Sequence, residues 1–332
     1  MSLLPLSLIR YLIVCRVNAP LVRFYLFPSV ELSLVLGTVI EESLPTVQSR
    51  PWRKALAPWK SEGGLSIIQN KNRRNVPLAA WPVESVLFCY PGKRYYGKGE
   101  LILLELKLIG NSADHAFFLD VILPALETAS RTIDKDWQPA NSLWGNFDIQ
   151  SVYVARGHVW ESLVDNGRLN LTYMATPSQW AEGLTLDPDP QRVFHDVTWI
   201  TPFDLEGPSI PDRAIPSKRI SPAQVPSLRQ ILVALLERMN SLPTGTRNPR
   251  VRFWDMVEKD VRDSFDQLLE SASNIPIIHG SFRPVPASQP GRWIGRQTFG
   301  AIPNPITPYL ALASIFHIGA LTHSGCGTFF IF

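Results

Sequence analysis

Residues 99–128 read GELILLELKLIGNSADHAFFLDVILPALET. The run Glu100–Ile109 is rich in Leu and Ile and predicts a strand. Gly110 then breaks it. From Ser112 to Thr128 the apolar residues Ala113, Ala116, Phe117, Leu119, Val121, Ile122 and Leu126 recur at helical spacing, so a helix follows the turn. Outward from this strand–turn–helix, a second strand is expected near Val83–Cys89, with Pro91-Gly92 and Gly97 punctuating the connection. Further back, residues 6–18 read as a strand rich in Leu, Ile and Val. A helix follows it, starting near Glu31 after Pro28-Ser29 and running to about Glu42. A strand at Gly145–Ala155 closes the unit.

That order is β-α-β-β-α-β, the ferredoxin-like arrangement. The second half repeats it in element order, though not in sequence. A strand at Phe194–Phe203 leads through a Pro-rich loop (207–226) to an amphipathic helix at Ser227–Leu242. A charged helix is expected at 250–273, carrying Asp255, Glu258, Lys259, Arg262, Asp266 and Glu270. Strands at Ile275–Arg283 and Gly291–Ala301, a helix at Thr307–Ile318 and a strand at Gly327–Phe332 complete it. The expected fold class is therefore α+β, with two tandem ferredoxin-like (RRM-like) domains and a C-terminal glycine-rich loop. Domain boundaries fall at 1–160 and 190–332. The segment 45–82, rich in Pro, Trp and basic residues with weak periodicity, reads as a long loop or insertion in the first domain. The charged helix is an extra in the second.

A chain of 332 residues can build its cores without disulfides or metals. The net charge of +3 does not by itself announce a nucleic-acid partner. The distribution is more telling. Between Arg50 and Lys98 there are ten Lys/Arg and two acids, a local balance of +8. Arg73, Arg74, Lys93 and Arg94 lie in this stretch with Trp52, Trp59, Trp81, Tyr90, Tyr95 and Tyr96. Cations meet phosphates and rings stack on bases, so the pattern suits RNA; a solvated basic loop would look the same. Cys15, Cys89 and Cys326 have no paired spacing, which excludes a disulfide framework or zinc knuckle and fits a reducing cytoplasm. The apolar N-terminus is interrupted by Arg10, Arg16 and Arg23. It offers neither a membrane span nor a signal peptide. No HExxH, Walker loop or G-x-S-x-G is present and no Asp-x-Asp pair suggests a two-metal nuclease, so no cofactor and no metal are expected.

Four segments together resemble the CRISPR-associated repeat-RNA endoribonucleases of the RAMP superfamily, the Cas6 family. They are Leu104-Glu-Leu-Lys-Leu-Ile-Gly110 with Asn111–His115 and Phe117-Phe118; Trp199-Ile-Thr-Pro-Phe203; Gly291-Arg-Trp-Ile-Gly-Arg-Gln297; and Pro308–Phe332. The last contains Tyr309-Leu-Ala-Leu-Ala313, His317-Ile-Gly319 and Gly325-Cys-Gly327. The likeness covers roughly 100–332. It implies binding of a CRISPR repeat hairpin, metal-independent cleavage by the RNA's own 2′-OH, and a place among other CRISPR effector subunits. It also implies that Gly319, Gly325 and Gly327 form part of a backbone grip. Physically, glycines at φ > 0 let another backbone come close, and successive N–H groups make an anion site. Arg292 and Arg296, four apart on a strand, would share one face and offer two guanidiniums to phosphates. His317, after an apolar helix, reads as structural.

The family places a histidine near the first helix. Here Arg16 to Thr38 holds none, and offers Arg16, Arg23, Tyr25, Ser29 and Glu31 instead. Three readings stay open. His323, in the glycine loop, is the displaced base; or arginine and tyrosine, Arg23 and Tyr25, stabilise charge and align the in-line attack; or the protein binds without cutting, as a non-catalytic subunit capping the guide RNA. The charged helix 250–273 is expected to meet the hairpin or a neighbouring subunit.

Overall fold

The computed structural model describes residues 6–61, 79–90, 92–132, 141–165, 168–184, 193–205, 225–242, 253–286 and 289–332. The chain divides into two units, Met1–Leu184 and Thr185–Phe332. Both are α+β with antiparallel sheets.

In the first unit β1 (Leu8–Val17) is central and buries seven of its ten residues, Arg10, Leu12 and Arg16 being the more open positions. It leads through β2 (Leu21–Arg23) to α1 (Pro28–Ser43) and α2 (Thr46–Ser61). Then come β3 (Ser85–Tyr90), β4 (Tyr95–Gly97) and β5 (Leu101–Ile109). The next helical segment starts as α3 (His115–Phe117), widens to a π turn over Phe118–Ile122 and continues as α4 (Leu123–Arg131). The wide turn sits where Pro124 has no N–H to give to the helical ladder. The sheet is finished by β6 (Phe147–Arg156) and β7 (Val159–Ser162), in the order β3-β5-β1-β6-β7.

Two small ribbons stand beside it: β2 with β4, and β8 (Val164–Asp165) with β9 (Arg168–Leu169). The unit runs past residue 160. The Trp180 indole donates to Leu6 O at 3.0 Å, and Leu8 N to Pro177 O at 2.9 Å, tying residues 177–180 to the start of β1.

The expected loop at 45–82 is corrected over Thr46–Ser61, which is helical despite Pro51 and Pro58. Ser49, Trp52, Leu56 and Trp59 form its buried stripe. This stripe covers α1, which is consequently buried on every side from Pro28 to Glu41. Trp81 closes over both helices, its indole donating to Ser33 O at 2.9 Å. Gly37 leaves room for that ring, since a Cβ there would lie 3.1 Å from the indole nitrogen. Arg73 and Arg74 lie outside the described residues.

The second unit runs β10 (Phe194–Trp199), α5 (Leu228–Ser241), α6 (Lys259–Ser273), β11 (Ile277–Pro284), β12 (Trp293–Ile302), α7 (Thr307–Phe316) and β13 (Phe329–Ile331). Its sheet order is β11-β12-β10-β13. A Ser227/Gln230 capping box starts α5. The charged helix is shorter than expected: a 3-10 turn, Phe253–Met256, precedes α6. Only Phe265 and Ala272 of α6 are buried, Phe265 packing edge-on against Trp254 and Tyr309 at 5.0 and 4.9 Å. No helix among the described residues is long and apolar enough to cross a membrane.

Candidate nucleic-acid interface

Arg23 ends β2, where it is the cross-strand partner of Tyr95 in β4. Its guanidinium carbon lies 4.8 Å from the Tyr25 ring centre and 5.5 Å from that of Tyr95, so the cation is held between two rings. Such contacts are attractive because the ring faces are negative. No carboxylate among the described residues pairs with it, and its Nε is buried without a hydrogen-bond partner. Tyr95 is 53% exposed. Arg16, exposed on β1, makes a 3.1 Å bond to the Gln150 side chain and has no carboxylate among the described residues in an ion pair with it. A guanidinium without a counter-charge, beside an open aromatic ring, is suited to a phosphate and its neighbouring base.

The other expected cations are more occupied. Lys93 Nζ meets Glu100 at 2.5 Å and lies 4.8 Å from the Tyr96 ring centre. Glu100 is held below its ordinary range first by that Lys93 contact and then by the Gly97 N–H. Arg94 donates to the carbonyls of Phe24 and Tyr25. Below this corner lies Glu31, fully buried in the first turn of α1. Its Oε2 accepts from the Tyr25 and Leu26 N–H groups at 2.7 and 3.0 Å. Burial pushes its pKa up to about 7, against the pull of those N–H groups, the Trp144 indole and the Arg94 charge.

In the second unit the glycines do have left-handed backbones: φ is 85° at Gly319, 77° at Gly325 and 83° at Gly327. The backbone they admit is the chain's own. A Cβ on Gly319 would overlap Asp204 O, and one on Gly327 would overlap Ile318 O. Gly325 N donates to Thr322 O, Gly327 N to Pro202 O and Thr328 N to Thr201 Oγ1, at 2.9, 2.9 and 3.1 Å. The N–H groups of Gly325 and Gly327 therefore face protein acceptors rather than an anion. His317, fully buried, bonds Cys326 O through Nδ1 at 2.9 Å and stiffens the same turn, in keeping with its structural reading.

His323 sits half-buried in the 3-10 turn Thr322–Ser324. Arg292 and Arg296 have separate settings. Arg292 precedes β12 and lines a cleft of about 130 Å³ with Asp204, Gln230 and Glu237. Arg296, in β12, forms a two-pronged pair with Asp196 at 3.3 and 3.1 Å. The Thr298 hydroxyl, and then Arg296, hold Asp196 below its usual range. Among the described residues no group of three or more His, Cys, Asp and Glu is placed to hold a metal.

Two solved chains align with nearly the whole molecule. One is from a structure described as a partial Cas6-RT-Cas1–Cas2 complex and the other from a Cas6-RT-Cas1–Cas2 complex. Each gives a TM-score of 0.50 at 13% identity over 99% of this chain, covering 47% and 29% of those chains. The fold is shared with Cas6-containing structures. This chain thus spans less than half the length of either. Thermus thermophilus Cas6 is also similar, with a TM-score of 0.43 and 14% identity over 99% of both chains. No family model matches the chain, and no curated protein matches it.

Sequence reading singled out Arg23, Tyr25, Lys93 and Arg94, and the structure brings Arg23, Tyr25 and Arg94 to one corner. It passed over Tyr95 as a site residue. The available signal was the Arg94-Tyr95 pair inside the basic stretch.

Proposed function

We propose that this chain is a Cas6-type CRISPR RNA-processing endoribonuclease built from two ferredoxin-like domains. Supporting the domain reading, both sheets place the four strands of a β-α-β-β-α-β unit in the order fourth, first, third, second: β6-β1-β5-β3 and β13-β10-β12-β11. Supporting the RNA reading is one observation above the rest. Arg23 lies over the Tyr25 ring and within reach of the open ring of Tyr95, with no carboxylate among the described residues paired to it.

On this reading the enzyme binds the repeat hairpin of precursor CRISPR RNA. The 2′-OH oxygen attacks the adjacent phosphorus, the 5′ oxygen leaves, and a 2′,3′-cyclic phosphate and a 5′-OH result. The 2′-OH proton goes to a base and the leaving oxygen takes one from an acid. Arg23 faces the phosphate and stabilises the charge that grows there. Proton transfer is assigned to Tyr25 or His323. The product stays bound, and the complex joins other CRISPR effector subunits. Arg16 extends the cationic surface.

The test is incubation with cognate repeat RNA in EDTA. Cleavage with a cyclic-phosphate end is expected, and Arg23→Ala should slow it about 100-fold or more, the scale of losing one charge-stabilising donor. Separate Tyr25→Phe and His323→Ala variants assign the proton transfer by which one flattens the pH–rate profile. A second reading, a non-catalytic subunit capping the guide RNA, is favoured by the lack of any histidine from Arg16 to Thr38. Tight binding with no cleavage by the wild type would establish it.

A further inference from the structure

Arg94 sits in the basic stretch like one more cation offered to RNA, but its side chain turns inward. Its Nη2 donates to Tyr25 O, and its Nε to Phe24 O at 3.4 Å. Its own carbonyl accepts the Phe24 N–H at 2.8 Å. From the opposite side, Glu31 takes the N–H groups of Tyr25 and Leu26 on one oxygen. At the corner Phe24–Leu26, joining β2 to α1, the Arg94 guanidinium thus holds the Phe24 and Tyr25 carbonyls and the Glu31 carboxyl holds the Tyr25 and Leu26 N–H groups. The Arg94 bonds are charge-assisted, which is the stronger class. Phe24 is buried among core residues and anchors the corner further, its ring 5.9 Å from that of Tyr96. At the middle of the clamped corner is Tyr25, half-buried against the Leu26, Val30 and Trp59 cluster, with the Arg23 guanidinium over its ring.

We propose that Arg94 and Glu31 are positioning residues: they clamp the Phe24–Leu26 corner so that Tyr25 holds Arg23 ready for an RNA phosphate, and Arg94 itself does not touch the RNA. The inference rests on the RNA-binding part of the function proposed above. An arginine side chain has many rotamers, and fixing it before RNA arrives removes an ordering cost from binding. Loosening the clamp should therefore weaken binding without changing how many phosphates are neutralised.

Salt dependence separates the two roles, because each phosphate contact on a single strand contributes about −0.7 to the slope of log K against log salt. The experiment uses the full chain, a fluorescein-labelled single-stranded RNA of mixed sequence, and a potassium chloride series. Arg23→Gln should weaken binding and make the slope shallower by about 0.7. Arg94→Gln should weaken binding about tenfold and leave the slope at the wild-type value. In the Arg23→Gln background, Arg94→Gln should cost almost nothing more, since the two act through one contact.

A slope change for Arg94→Gln matching that of Arg23→Gln would overturn the proposal, as would an undiminished loss in the double variant. If Arg94→Gln fails to fold by circular dichroism, Arg94→Lys serves: it can reach one carbonyl, and an unchanged slope with a partial loss is expected. Wild-type protein that binds this RNA without salt dependence would instead remove the RNA reading itself.

Discussion

At the scale of single residues, the buried carboxylate of Glu31 makes stability depend on pH in a stated direction. Its pKa in the folded chain, about 7, lies above the ordinary 4.5. The folded state therefore holds that proton more tightly than the unfolded state does. The stability this provides is full below about pH 4.5 and lost as pH rises through about 7, a change of at most about 3 kcal/mol. Glu31→Gln keeps a hydrogen-bond acceptor and removes the titration. Urea unfolding at about pH 5 and about pH 8 should show the variant gaining on the wild type at the higher pH. Gly327 gives a second residue-scale expectation. At φ 83°, with Ile318 O where a Cβ would sit, Gly327→Ala should cost about 2 kcal/mol or more in the unfolding of the second unit.

At the scale of elements, α2 carries the clearest stability prediction. Trp59 is fully buried there in a cluster with Leu26, Val30, Leu34 and Leu56. Trp59→Ala should destabilise the first unit by about 3–5 kcal/mol, read as a lower urea midpoint at unchanged slope. This helix also shows where sequence reading stops. Its four buried positions are correctly spaced, but Pro51 and Pro58 are helix breakers by propensity, and tertiary packing overrode them. The long strands and α1, α5 and α7 were legible because eight or more residues give a composition or period that can be read. The short strands β2, β4, β7, β8 and β9 were not, because two to four residues carry no measurable period.

The site was legible in part for a related reason. Arg23 and Tyr25 are two residues apart and could be paired by eye. The inward turn of Arg94 depends on carbonyls 69 and 70 residues away in sequence, which no local pattern encodes.

At the scale of the whole molecule, charge is the property that matters. The net charge is +3, so the proposed RNA binding would draw on local cations rather than on the protein's overall field. Arg16 and Arg23 alone would give a salt slope of about −1.4 for single-stranded RNA, and a titration over potassium chloride should find a slope at least that steep. The closing strand β13 has a consequence of a different kind. It pairs with β10, and Thr328 bonds across 127 residues to Thr201. The second unit's sheet lacks its fourth strand until residues 329–331 have left the ribosome. Loop closure on that scale must precede the contacts that reward it. During synthesis, β10 is therefore left with an unpaired edge while most of the unit's chain already exists. During that interval the open edge of β10 is available for mispairing.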